Sequence, residues 1–212
     1  MTGRFITFEG GEGAGKSTQI AKLQALLTAK GLRSQITREP GGTPNAEALR
    51  DLVVNGEAGR WSALEEMLIM YTARSELVRT VIKPALAAGV WVLSDRFADS
   101  TTVYQGYAGG VALEKIEKLH QIVLGSFRPD LTLILDVPID AGLARVKTRA
   151  EIISRFEKQQ QEYYDRVRSG YLTIAKNEPE RCVVIDAQGT QDKVAHCIAS
   201  VVTTRFAGDI NP

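Results

Sequence analysis

Two stretches of the chain carry residue types and spacings that could do chemistry. In Gly10-Gly11-Glu12-Gly13-Ala14-Gly15-Lys16-Ser17, four residues separate Gly10 from Gly15, and a lysine and a hydroxyl follow. This is the phosphate-loop spacing, in which main-chain N–H groups at a helix N-terminus converge on an anion. The glycines let the backbone approach the ligand, Lys16 reaches the β and γ phosphates, and the Ser17 hydroxyl can sit on Mg²⁺. A glycine-rich turn before a helix can be only a turn. An apolar core, however, needs no such combination of glycines, lysine and serine, and here an apolar run precedes the loop and an amphipathic segment follows it. The loop points to a nucleoside triphosphate without saying which reaction consumes it.

The second stretch is Ser94-Asp95-Arg96-Phe97, where an apolar run ends in a carboxylate and a guanidinium side by side. Asp95 is placed to hold Mg²⁺ or its water, and the fork of Arg96 suits a second phosphate. Alone, such a pair reads as a surface ion pair; at a strand end in a chain with a phosphate loop, that weighting reverses. Further on, Arg145, Lys147, Arg149 and Arg155 fall within eleven positions. They form either a solvated helix face or a basic run able to close over a transferring phosphoryl group. Arg38-Glu39-Pro40-Gly41-Gly42-Thr43-Pro44 is a shaped loop, with Thr43 a candidate cap for a helix carrying Glu47 and Arg50. Ser100-Thr101-Thr102-Val103-Tyr104-Gln105-Gly106-Tyr107 gathers hydroxyls, an amide and aromatics suited to a base and a sugar. Taken singly, Arg50 reads as solvated, and Met70 and Tyr71 as packing residues.

These residues need a frame. Apolar runs at 5–8, 33–37, 90–94, 131–137 and 182–185 alternate with segments of helical period, which predicts an α/β fold: a doubly wound, five-stranded parallel sheet flanked by helices. Ligands of such sheets gather at the carboxyl ends of the strands, where Gly10, Arg38, Asp95 and Asp186 fall. Helices are expected at 18–27, 114–124 and 191–206, with His120 at the surface, Asp140 as a cap and a frayed tail after Phe206. A long helix over 63–88 should be kinked or interrupted at Pro84, with Leu64, Met67, Leu68, Tyr71, Leu77, Val81 and Leu86 as its apolar stripe. At 212 residues and 44% apolar content, one domain is expected. The net charge of +1 offers no field for nucleic acid. No apolar run is long enough to span a membrane, and two cysteines without metal spacing fit a reduced, cytoplasmic setting.

Together the motifs resemble the nucleoside monophosphate kinases of the phosphate-loop class, and more narrowly the bacterial thymidylate kinases. The similarity runs over nearly the whole chain. It includes Phe8-Glu9-Gly10 through Ser17-Thr18, Arg38 to Thr43, Tyr71 to Arg74, Asp95-Arg96, Tyr104-Gln105-Gly106, Phe127-Arg128-Pro129-Asp130, Leu135-Asp136-Val137 and Arg155-Phe156-Glu157. The resemblance implies a single P-loop kinase domain over 1–212 with a lid at about 141–157. It also implies transfer of the ATP γ-phosphoryl group to dTMP, giving dTDP for dTTP biosynthesis, with Mg²⁺, in a cytoplasmic homodimer.

Residue by residue, it implies that Gly10 to Thr18 hold ATP, with Lys16 on its phosphates, and that Ser17 and Asp95 hold the metal. Arg96 and Arg50 grip the acceptor phosphate, and Glu12 takes the sugar hydroxyl. Arg74, Thr101 and Gln105 read the thymine edge, Tyr104 crowds the 2′ position, and Glu39-Pro40 is a cleft loop with a cis bond. Gly13 stands where one branch of the family carries an arginine, so the catalytic arginine falls to the lid, as Arg149 or Arg155. Met70 takes the place of the phenylalanine that commonly stacks on thymine, and Ala150 and Ser154 depart from the usual lid pattern. Two other readings stand beside this one: a kinase for a different small acceptor, and a nucleotide-dependent switch or ATPase, although no Asn-Lys-x-Asp guanine motif is present.

Overall fold

The computed structural model describes residues 3–55, 59–147 and 161–210. Strands β1 (Phe5–Glu9), β2 (Ser34–Arg38), β3 (Trp91–Asp95), β4 (Leu131–Asp136) and β5 (Cys182–Asp186) pair in parallel in the order β2-β3-β1-β4-β5. Each expected strand is present, its ends displaced by no more than one residue. All five residues of β1 are buried, the signature of a central strand covered on both faces. Thr7 and Thr132 face each other across β1 and β4, and their hydroxyls bond at 2.9 Å, so neither polar group is left unsatisfied in the core.

Alternation along the strands divides the core. Ile6, Phe8, Leu93, Leu133 and Leu135 pack on one face with α1 (Lys16–Ala29) and α9 (Gln191–Arg205). Phe5 and Val92 pack on the other with α3 (Ala63–Leu77) and α6 (Leu113–Leu124), and Ile134 packs there with α8 (Gln161–Asn177). α2 (Pro44–Val54) begins at the cap expected of Thr43, whose hydroxyl accepts from the Ala46 N–H at 3.1 Å.

The interruption expected of Pro84 is present, with a π-helical turn just before the proline, and four other expectations are corrected. The stretch 63–88 is broken into α3, a π-helical turn over Val78–Ile82 and α4 (Lys83–Ala87), because Pro84 cannot donate to the helical ladder. Within its apolar stripe, Leu64 and Leu68 are 45% and 48% exposed. His120 is buried, 1% exposed, with Nε2 against the Phe127 carbonyl and Nδ1 near the Tyr71 hydroxyl. Asp140 lies inside the first turn of α7 (Ile139–Lys147). The tail after Phe206 folds as α10 (Ala207–Ile210): the Phe206 ring packs edge-on to Trp91, and Asp209 pairs with Arg4 at 2.7 Å. Last, α5 (Ala98–Thr101) runs directly into a second π-helical turn, Thr102–Tyr107, where helical period gave no warning.

Candidate active site

The phosphate loop leaves β1 at Gly10 and enters α1 at Gly15. Gly10 has φ +133°, and a Cβ there would meet the Leu135 carbonyl oxygen at 2.4 Å; at Gly13, φ +69°, it would meet the Gly142 carbonyl oxygen at 2.0 Å. The loop therefore lies against β4 and the first turn of α7, where only glycine fits. Gly15, at φ 88°, fills the cap position of α1 without a side chain, which leaves the first turn's N–H groups facing the loop. Lys16 is buried, and its Nζ donates to the carbonyls of Gly10 and Gly11, both at 3.1 Å. Thr18 is the third residue of α1, within its first turn.

Strand register brings the second motif here. Phe8 pairs with Asp95, so β3 ends beside the start of the loop, and the Ser17 hydroxyl donates to Asp95 Oδ2 at 3.2 Å. A hydroxyl and a carboxylate side by side are hard oxygen donors of the kind Mg²⁺ accepts alongside phosphate oxygens, so these residues fit the ion. The next residue, Arg96, is the one non-glycine with positive φ (70°) among those described. Left-handed backbone at a long side chain costs about 1–3 kcal/mol, and here it turns the guanidinium back over the loop. Its Nη1 donates to the Gly10 carbonyl at 3.3 Å, its Nη2 to Glu12 Oε1 at 2.6 Å, and its face covers the Tyr104 ring at 4.9 Å. Burial works to raise Glu12, but Arg96, Lys16 and the Tyr104 hydroxyl outweigh it and hold the carboxyl below its usual range.

Arg50 reaches in from α2, its Nη1 donating to the Pro40 carbonyl at 3.0 Å; the Glu39-Pro40 bond is cis. Burial, then the Arg38 and Arg96 charges, lower the Arg50 guanidinium, while burial and Arg96 lower Lys16. Three cations thus face one another in a space that an anion would relieve.

Deeper in the cleft, Arg74 is 2% exposed and stacks on Tyr71, its guanidinium carbon 4.5 Å from the ring centre. Its Nε donates to Glu39 Oε2 at 2.7 Å, and its Nη2 to the Phe97 carbonyl at 3.2 Å and Thr101 Oγ1 at 3.0 Å. Burial raises the Glu39 carboxyl to about 7 against the pull of Arg74. Arg74 Nη1 and Glu39 Oε1 have no hydrogen-bond partner among the described residues. Buried polar atoms are seldom left unpaired in a finished core, so these two are candidates for a ligand. Gln105 Nε2 donates to Glu66 Oε2 at 3.0 Å, and Met70 sits half-buried on α3 one turn before Arg74. Residues 8–198 match the family model described as thymidylate kinase.

The chain belongs to the thymidylate kinase family. It is 52% identical to the thymidylate kinase of Caulobacter vibrioides, covering 96% of this chain and 98% of that one. To the thymidylate kinase of Nitrobacter winogradskyi it is 50% identical, covering 91% and 85%. A crystal structure of thymidylate kinase from Ehrlichia chaffeensis is similar over 95% of this chain and 100% of that one, with a TM-score of 0.77 and 34% identity. The family is one of P-loop phosphotransferases, the nucleoside monophosphate kinases, as the sequence resemblance implied.

The fold thus brings together Gly10 to Thr18, Glu39, Pro40, Arg50, Arg74, Asp95, Arg96, Thr101, Tyr104 and Gln105, with Met70 beside them. Arg149 and Arg155 lie outside the described residues, as does the lid beyond Lys147. Arg145 is not aimed at the cleft alone: it donates to the carbonyls of Gly13 at 3.4 Å and Ala187 at 3.2 Å, tying the loop to the turn after β5. Three participants were not singled out from sequence. Glu66 stands next to Met67 in an apolar stripe, and that misplaced carboxylate was the available signal for the partner of Gln105. Glu9, buried at the end of β1, and Tyr171, on α8, meet only through the fold.

Proposed function

We propose that the chain transfers the γ-phosphoryl group of ATP to dTMP, giving dTDP and ADP. The observation that carries this reading is the facing of two cationic sets: Lys16 with the loop amides, and Arg96 with Arg50, joined where Arg96 Nη2 meets Glu12 inside the loop at 2.6 Å. ATP lies with its phosphates on the loop and on Lys16. The dTMP phosphate lies between Arg96 and Arg50, and one of its oxygens attacks the γ phosphorus in line as the bond to the ADP oxygen breaks. A phosphate oxygen is already a nucleophile, so no side-chain base is needed, and the work left to the protein is positioning and charge stabilisation. Mg²⁺, held by Ser17 and Asp95, supplies neutralisation of charge on the phosphate oxygens. Arg149 or Arg155 adds a guanidinium at the transferring group.

On the acceptor side, Arg74 Nη1 is an unused donor for a base carbonyl, with Thr101 and Gln105 beside it. Glu12 takes the sugar hydroxyl, while Tyr104, whose hydroxyl donates to Glu12 at 3.3 Å, closes the 2′ side and favours deoxyribose. The same proposal includes a homodimer formed through the exposed leucines of α3, and a cytoplasmic setting in keeping with the free thiols of Cys182 and Cys197.

A coupled ADP-release assay with ATP, Mg²⁺ and a panel of nucleoside monophosphates tests the reading. dTMP should give the highest kcat/KM. Faster turnover of another monophosphate, or ATP hydrolysis that no monophosphate stimulates, would overturn it.

A further inference from the structure

Behind Arg96, on the side away from Glu12, stands a group of polar side chains with a fixed direction. Arg96 Nη1 shares its two hydrogens among the Gly10 carbonyl, Ser100 Oγ and the Tyr171 hydroxyl oxygen, the last two each at 3.1 Å. A guanidinium cannot accept a hydrogen bond, so both oxygens must turn lone pairs toward it and send their hydrogens elsewhere. Glu9 Oε2 is within reach of both, 2.6 Å from Ser100 Oγ and 3.0 Å from the Tyr171 oxygen, and the two hydroxyls also lie 2.9 Å apart, so either can donate to the other while its neighbour donates to the carboxylate. The other carboxylate oxygen, Oε1, accepts the N–H of Phe97 at 2.7 Å, one residue beyond Arg96. One buried carboxylate thus anchors the pair of hydroxyls and pins the backbone next to the left-handed residue. Glu9 and Tyr171 are 0% and 2% exposed, so water offers no alternative partner to either.

The four participants come from β1, the turn after β3, α5 and α8, a convergence that core filling alone does not require. The Tyr171 ring already meets the packing needs of its neighbours, with Tyr104 edge-on at 6.4 Å and Val167 and Ile174 beside it. A phenylalanine would fill that space as well. The hydroxyl is therefore the part left to explain.

We propose that Tyr171, acting with Ser100 and Glu9, is a positioning residue for Arg96, holding the guanidinium at the angle from which it meets the acceptor phosphate. This rests on the reading that Arg96 grips that phosphate. The effect is specific to ligands that carry a phosphate, because among the described residues the Tyr171 and Ser100 hydroxyls bond to Arg96, to Glu9 and to each other, and to no residue assigned to the base.

Calorimetric titration of the full chain with dTMP and with thymidine, which lacks the phosphate, separates positioning from packing. Tyr171→Phe should weaken dTMP binding about tenfold, the worth of one hydrogen bond to a charged group, and leave thymidine binding within about twofold of the parent. Ser100→Ala should behave alike, and the melting temperatures of both variants report that the fold is intact. Unchanged dTMP binding in Tyr171→Phe, or equal weakening of dTMP and thymidine, would overturn the proposal while leaving the role of Arg96 in place. Arg96→Ala in the same titrations tests the underlying reading. If that variant bound dTMP as the parent does, Arg96 would have no phosphate to hold and the proposal would fall with it.

Discussion

Arg96 Nη2 lies 2.6 Å from Glu12 Oε1, so the guanidinium assigned to the acceptor is bonded to a residue inside the loop assigned to the donor. Neither side chain is much exposed, 16% and 25%, and a charge-assisted bond in such a place is stronger than its surface counterpart. The two half-sites are thus bonded to each other directly, and each keeps its own backbone frame, the phosphate loop on β1 and α1 and the turn on β3. Such registration suits a reaction whose barrier is lowered mainly by holding two phosphates in line.

The pairing of Ser17 with Asp95 at 3.2 Å bears on the metal. Asp95→Asn should raise the Mg²⁺ concentration needed for half-maximal rate while leaving the melting temperature near that of the parent. An unaltered Mg²⁺ dependence would remove Asp95 from the ion's surroundings.

Arg149→Ala and Arg155→Ala, made separately, test which of the two supplies the proposed catalytic guanidinium. One of them should lower kcat by about 10²–10³, the cost of removing a donor aimed at developing charge, and the other by much less. Equal, small losses in both would mean that the catalytic guanidinium lies elsewhere in the chain.

Glu9 gives the apo protein a pH signature. Burial and then the charge of Asp99 raise it from 4.5 to about 7, while Arg96, Ser100 and the Phe97 N–H oppose the rise. Across that window the folded chain keeps a proton that the unfolded chain has released, so this group's contribution to stability falls as pH rises. Lys16, Arg74, Tyr171 and Cys182 also feel the carboxylate, and Glu9→Gln removes its pull on each of them. The Tm of Glu9→Gln minus that of the parent should therefore climb between pH 4.5 and about 7 and level off above. A difference that stays flat through the window would contradict the assignment.

Leu64 and Leu68 stand one turn apart on α3, both exposed, and Ile122 on α6 is 80% exposed. If they form the face between two copies, Leu68→Glu should convert the sedimenting species from dimer to monomer. A variant that sediments as the parent does would place the interface elsewhere.

What could be read from the sequence was whatever depends on neighbours in the chain. The phosphate loop needs its glycines, lysine and serine at fixed offsets, and the strands of a sheet covered on both faces are continuous apolar runs, so Gly10 to Ser17 and all five strands were visible. Asp95 and Arg96 were visible because strand ends in such sheets face the ligand. Burial that depends on distant segments was not. His120 sits on an ordinary amphipathic helix and is covered only because Tyr71 and Phe127 arrive there. Phe206 and Asp209 follow the last long helix with turn-like residues and are held by Trp91 and Arg4 from the other end of the chain. Tyr171 is one more aromatic in a helical stripe until Glu9, 162 positions away, gives its hydroxyl a direction.

The central claim is that two anion sites, one for each nucleotide, share this cleft. Titrating Lys16→Ala and Arg96→Ala with ATP and with dTMP tests it most directly. Lys16→Ala should lose affinity chiefly for ATP and Arg96→Ala chiefly for dTMP, each by at least about tenfold, with the other ligand bound nearly as in the parent. Loss of both ligands to the same degree in either variant, or of neither, would contradict the separation of donor and acceptor on which the account stands.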